Sequence, residues 1–137
     1  MNLLISTEQN SHFSVAVGAD KILKLKTIRK EYRQSELLLK TIDSLLVGEK
    51  PKAIFVVRGP GAFSSLRIGI ATANALSFGW GVPVVGVMLQ KGWDELTEKN
   101  RLEFVWQAGL KQRLTRSGGR KFVTPLYGAE PSITMKK

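Results

Sequence analysis

Side chains able to do chemistry are few in this chain, and their types limit that chemistry sharply. There is one histidine, His12, and no cysteine. That excludes thiolate zinc sites, disulfides, cysteine nucleophiles and metal sites built on several histidines. A serine–histidine–carboxylate triad would have to be assembled round His12, on an expected strand with one solvent-facing side, and a surface histidine is the plainer reading. The acidic residues fall mostly on expected helix surfaces and form no carboxylate pair for acid–base work; Glu8, after the first strand, reads as a solvated turn. What remains is the loop Arg58-Gly59-Pro60-Gly61 ahead of a helix, where backbone N–H groups attract anions. Pro60 removes one donor, and the stretch lacks the glycine spacing and lysine of a Walker loop. Gly59 and Gly61 are therefore weak candidates for cofactor contact, and no metal or cofactor is expected.

Charge is the second chemical signal. Among 137 residues, 21 Lys/Arg against 11 Asp/Glu give a formal charge of +10. Residues 1–90 hold 11 basic and 6 acidic side chains; residues 91–137 hold 10 and 5, so the excess is denser in the shorter part. Such a field draws polyanions or an acidic partner. Lys111, Arg113, Arg116, Arg120 and Lys121 are the candidates for contact with RNA phosphates, although no aromatic-interleaved basic motif accompanies them.

The elements that must position these residues follow from periodicity. Residues 2–7 begin as a short buried strand, and residues 12–18 and 22–28 alternate apolar and polar, so the three form an antiparallel meander. A helix from Glu31 to Gly48 comes next. Leu38, Leu39, Ile42, Leu45 and Leu46 fall within about 120° of its surface, the stripe of a helix laid on a sheet. Residues 53–57 are a continuous apolar run, as in a strand covered on both faces. Ser64 or Ser65 is expected to cap a second helix running to Gly79, and Pro83–Val87 is a last short strand. The order is that of a mixed α/β sheet with parallel crossovers, the ribonuclease H-like order.

The second helix is apolar nearly all round, so it should be buried nearly all round. Ile68, Ala71, Ala75 and Phe78 form one side; Leu66, Gly69, Ala73 and Leu76 form another. One sheet covers only one of them, and the other needs a neighbour. After Met88 the pattern weakens: a short helix over 93–99, a short strand over 102–106, a basic glycine-containing stretch, and an extended tail or edge strand over 122–127. This part must lean on the first ninety residues or on another protein. No apolar run is long enough to span a membrane and no signal peptide is evident, so a soluble cytoplasmic domain is expected.

The stretch Val57 to Ile70 closely resembles the GRGPGSFTGLRIG signature of the bacterial TsaB (YeaZ) family. Pro83-Val84-Val85-Gly86-Val87 is similar to that family's PVVGV strand, and Arg33 to Leu38 to its HSERLLP segment, with Arg33 at the histidine position. Pro125-Leu126-Tyr127 with Pro131 resembles its terminal PLYLR-x-P tail. The resemblance implies an actin-like (ASKHA) first lobe over residues 1–90 and a strongly shortened second lobe and tail over 91–137. It further implies a non-catalytic scaffold and dimerisation subunit that binds the threonylcarbamoyltransferase TsaD and supports modification of the tRNA adenosine beside the anticodon. A TsaE-like ATPase is a further implied partner, tRNA is met mainly through the complex, and a homodimer is possible without TsaD. Ser6 replaces the carboxylate of the superfamily's first strand, which removes an anchor for phosphate-bound magnesium. Leu37, Leu66, Gly69, Ile70, Ala73 and Leu76 are the candidate partner contacts, and Ala73→Arg is expected to break pairing without disturbing the fold. The alternatives are a small phosphotransferase or peptidase-like enzyme of the same superfamily, or a basic tRNA-binding module.

Overall fold

The computed structural model describes residues 1–29, 34–115 and 122–125. Strands β1 (Asn2–Ser6), β2 (Phe13–Gly18) and β3 (Ile22–Ile28) form the expected meander, β1 facing β2 from Asn2 opposite Gly18 to Ser6 opposite Ser14. Helix α1 (Gln34–Leu46) then crosses to β4 (Ile54–Gly59), and α2 (Phe63–Trp80) to β5 (Val84–Met88). Both β1–β4 and β4–β5 pair in parallel, so the sheet order is β3-β2-β1-β4-β5. This is the ribonuclease H-like arrangement.

Alternation along the strands sends two sets of side chains to opposite faces. Leu3, Ile5, Val15, Val17, Ile54 and Val56 meet α1 and α2 on one face. Leu4, Ala16, Phe55, Val57, Val85 and Val87 point to the other, where they pack on Leu102, Val105 and Trp106. Those three belong to α3 (Glu98–Thr115), which follows a 3-10 turn at Trp93–Glu95. The expected strand at 102–106 is thus a helix. Leu102, Val105, Trp106 and Gly109 recur at helical spacing, and only the lower, polar part of each turn hides that period. Gly109 lies inside the helix because a Cβ there would come within 2.7–2.9 Å of the Phe55 ring. The indole of Trp106 stands edge-on to the same ring at 5.3 Å and donates from Nε1 to the Ala19 carbonyl. Helix α3 therefore leans on the first ninety residues.

Two helix details differ from expectation. Leu39 is 54% exposed, so the buried stripe of α1 is Leu38, Ile42, Leu45 and Leu46. Helix α2 starts from Ala62 with no side-chain cap, and Ser65 Oγ instead donates to the Ala62 carbonyl. At its other end Gly81 takes the left-handed conformation that closes the helix. The short segment Phe122–Pro125 forms no edge strand. Asn74 of α2 accepts from the Val123 N–H at 2.8 Å and donates to its carbonyl at 2.9 Å, and Arg58 donates to the Thr124 carbonyl.

Trp106→Ala is expected to lower the unfolding free energy by about 3–5 kcal/mol, read from urea denaturation followed by far-UV circular dichroism. Leu114→Ala, on the 85% exposed side of the same helix, should stay within about 0.5 kcal/mol of the parent.

Candidate functional site

In open sheets of this kind ligands gather beyond the carboxyl ends of the parallel strands, where the strand order turns back. Here those ends are the loops after β1, β4 and β5, and they enclose a cleft lined by Glu8, Asn10, Ser11, Gly61, Leu89 and Lys91 among others. Its floor is Glu8, which is 5% exposed, not the solvated turn expected of it. Ser6 Oγ donates to Glu8 Oε1 at 2.6 Å, and Arg101 Nε lies 3.8 Å from Oε2. The glycine-proline loop packs directly on this residue: a Cβ on Gly61 would stand 2.6 Å from the Glu8 Cβ, and the Ala62 N–H donates to the Glu8 carbonyl at 2.8 Å. The peptide Gly59–Pro60 is cis.

A phosphate-bound magnesium does not fit this donor set. Position 6 is a hydroxyl committed to Glu8, and the second Glu8 oxygen faces a cation. The open side of Gly61 is filled by protein. Among the described residues no group of three or more His, Cys, Asp or Glu side chains could hold a metal ion. Of the weak candidates for cofactor contact, Gly61 serves the close approach of two loops, while Gly59 takes a φ of 133° and its carbonyl accepts from the Leu89 N–H at 2.9 Å.

His12 is not an isolated surface residue. Its Nε2 lies 3.0 Å from Glu98 Oε2 and its Nδ1 2.9 Å from Ser11 Oγ. Glu98 also accepts from Ser14 at 2.8 Å and from Arg29 at 3.1 Å. Three groups thus converge on one carboxylate, which ties the first turn of α3 to β2 and the end of β3. With Glu98 so engaged, the arrangement orients His12 and fastens a helix. Glu98 and Arg101 escaped the sequence reading because their partners lie 69 to 93 positions away, beyond any motif.

The apolar surface of α1 and α2 is the other candidate, and the structure inverts the expected faces. Leu66, Gly69, Ile70 and Ala73 are buried in the chain's own core. A Cβ on Gly69 would run into the Thr7 side chain. These four cannot meet a partner, and Ala73→Arg would place a charge in the core and break the fold. The other side of α2 faces outward: Phe78 is 90% and Phe63 56% exposed, with Ala71 and Ala75 between them. Leu37 and Leu76 are half-buried. Between α1 and α2 runs a groove lined by Leu39, Ile42, Leu46, Leu76 and Trp80, with Asp43, Glu49 and Lys50 at its margin. Of the candidate tRNA contacts, Lys111 is exposed and Arg113 half-buried on α3; Arg116, Arg120 and Lys121 lie outside the described residues, as do Arg33 and the tail beyond Pro125.

Comparison with known proteins matches this geometry. A family model described as TsaD, tRNA N6-adenosine threonylcarbamoyltransferase, matches residues 30–93, from before α1 to just past β5. The tRNA N6-adenosine threonylcarbamoyltransferase of Geotalea daltonii is 53% identical over 36 residues, 26% of this chain and 11% of that protein. YeaZ from Pseudomonas aeruginosa superposes with a TM-score of 0.57 at 28% identity, over 64% of this chain and 43% of its own. RuvC of T. thermophilus, in complex with Holliday junction substrate, superposes with a TM-score of 0.51 at 13% identity, over 81% of this chain and 80% of that one; at that identity it shows the fold alone. The class of domain is thus a ribonuclease H-like mixed sheet. Within that class the chain is similar to YeaZ, and it spans less than half the length of the YeaZ protein it matches. No helix among the described residues is long and apolar enough to cross a membrane.

Glu8 and Arg101 test the cleft floor. Glu8→Ala and Arg101→Ala should each destabilise by about 3 kcal/mol, since each strands a buried charge. The double variant should lose clearly less than the sum, read from denaturant midpoints; additive losses would show that the two do not interact.

Proposed function

We propose that the chain is a non-catalytic subunit in the formation of tRNA N6-threonylcarbamoyladenosine. In this reading it docks through α1 and α2 on a TsaD-like threonylcarbamoyltransferase and supports transfer to the adenosine beside the anticodon. Likeness to YeaZ and to the TsaD family model supports involvement in this tRNA modification. The observation that carries the docking role is the outward apolar side of α2, with Phe78 90% exposed beside the α1–α2 groove. A monomeric protein leaves large apolar patches uncovered mainly where something binds, and a ring on the rigid frame of a helix is the usual kind of anchor at such contacts.

The cleft supports the non-catalytic part of the reading. Ser6 in place of a carboxylate and Arg101 against Glu8 leave no site for a metal-bound phosphate, so the contribution of this chain is shape and apolar surface. A TsaE-like ATPase joins the same complex, and without TsaD the exposed α1–α2 side favours a second copy of the chain.

Mixed with its cognate TsaD-like protein, the chain should elute as a stoichiometric complex on size exclusion. Phe78→Ala should weaken the complex about 30-fold, the equivalent of roughly 2 kcal/mol, and Ala75→Glu should abolish it, both with unchanged melting temperature. Absence of any complex would overturn the docking role, and ATP hydrolysis by the purified chain alone would overturn the non-catalytic one.

A further inference from the structure

The basic charge of this chain has a second location besides the one its sequence density suggests. Strand β3 is one edge of the sheet, and from Lys21 to Arg29 it carries Lys21, Lys24, Lys26 and Arg29 with no acidic residue among them. Lys21, Lys24 and Lys26 are exposed. Register fixes which way two of them face. Lys24 pairs with Val17 and Lys26 with Val15, and both valines belong to the core under α1 and α2. Lys24 and Lys26 therefore leave the sheet on the α1 side, about 7 Å apart along the strand. There the sheet runs out past the helix, and Lys26 Nζ reaches Ser44 Oγ of α1 at 3.3 Å. Lys40, exposed, lies one helical turn before Ser44 on the same flank. Arg29 is turned to other use, bound to Glu98. The nearby acidic side chains are Asp20 beside Lys21, Asp43 beside Ser44 and Glu36 one helical turn before Lys40, all exposed.

We propose that Lys24, Lys26 and Lys40 form a binding strip for the phosphate backbone of RNA, and that the RNA is the tRNA of the modification complex; this rests on the reading given above. Three ammonium groups on a strand edge and an adjacent helix neutralise phosphates without reading sequence, which suits a subunit that positions tRNA for an enzyme. The strip shares a layer with the α1–α2 groove, so an RNA held on it lies beside whatever docks there. The lysines Lys24 and Lys26 also keep the strand edge from pairing with another sheet, a role that needs no particular neighbour such as Lys40. The basic residues described on α3, Lys111 and Arg113, are carried on the opposite face.

The test uses the full chain, without TsaD, and a fluorescein-labelled tRNA transcript in anisotropy titrations between low and moderate salt. Log affinity should fall linearly with log salt, and Lys24→Ala/Lys26→Ala should reduce the slope by about two, with Lys40→Ala removing about one more. Lys111→Ala/Arg113→Ala should leave it unchanged, and all variants should keep the parent's melting temperature. An unchanged slope in Lys24→Ala/Lys26→Ala overturns the strip. So does a slope lost only in the α3 variant, or binding to phosphatidylglycerol vesicles that depends on these lysines while tRNA does not bind. Complex formation with the TsaD-like protein is measured separately, so loss of the strip and loss of the docking role are distinguishable.

Discussion

A sheet that is apolar on both faces has to be covered twice, and the rest of this molecule follows from how that is done. Strand β4 is the centre of the problem: Ile54 and Val56 face one way, Phe55 and Val57 the other, and all four are fully buried. Burying such side chains is worth about 1.5–3 kcal/mol each relative to exposure, so neither face can be left wet. The chain assigns α1 and α2 to one side and α3 to the other. With the sheet closed by three helices, nothing among the described residues remains to cover the outer side of α2. Its exposed Phe63 and Phe78 are the direct result.

The polar residues serve the same closure at the ends of the strands. Glu98 gathers His12, Ser14 and Arg29, and Arg101, one turn further along, faces Glu8. Both tie α3 across the carboxyl end of β1 and the start of β2. The place where a related fold would hold a ligand is thus spent on fastening a helix, and the glycine-proline loop packs into the same corner through Gly61. With that corner so filled, the surfaces proposed for recognition are outer ones: apolar on α2, basic along β3.

Much of this was legible in the sequence where a single period operates. The alternation of Phe13, Val15 and Val17, the unbroken run Ala53–Val57 and the stripe of Leu38, Ile42 and Leu45 each have one structural meaning. Helix α3 was not legible, because Leu102, Val105 and Trp106 span too few residues to tell a strand from a helix, and Gly109 reads as a breaker until Phe55 is seen beside it. In α2 the sequence contained both apolar sides and no means of ranking them. The pairing of Gly69 with Thr7 decides the matter: only a residue without a side chain lets the helix settle there, so Leu66, Gly69 and Ala73 go inward.

Composition and order alone determined that this protein has no thiol or multi-histidine chemistry, that its strands and first two helices follow a ribonuclease H-like order, and that one helix carries more apolar surface than a sheet can hide. Those properties depend on residue type and local spacing. The direction that helix faces, the partners of Glu8 and Glu98, and the grouping of Lys24 and Lys26 with Lys40 were decided only in three dimensions. Each depends on groups far apart along the chain, brought together by the register of the strands and by the need to cover both faces of the sheet.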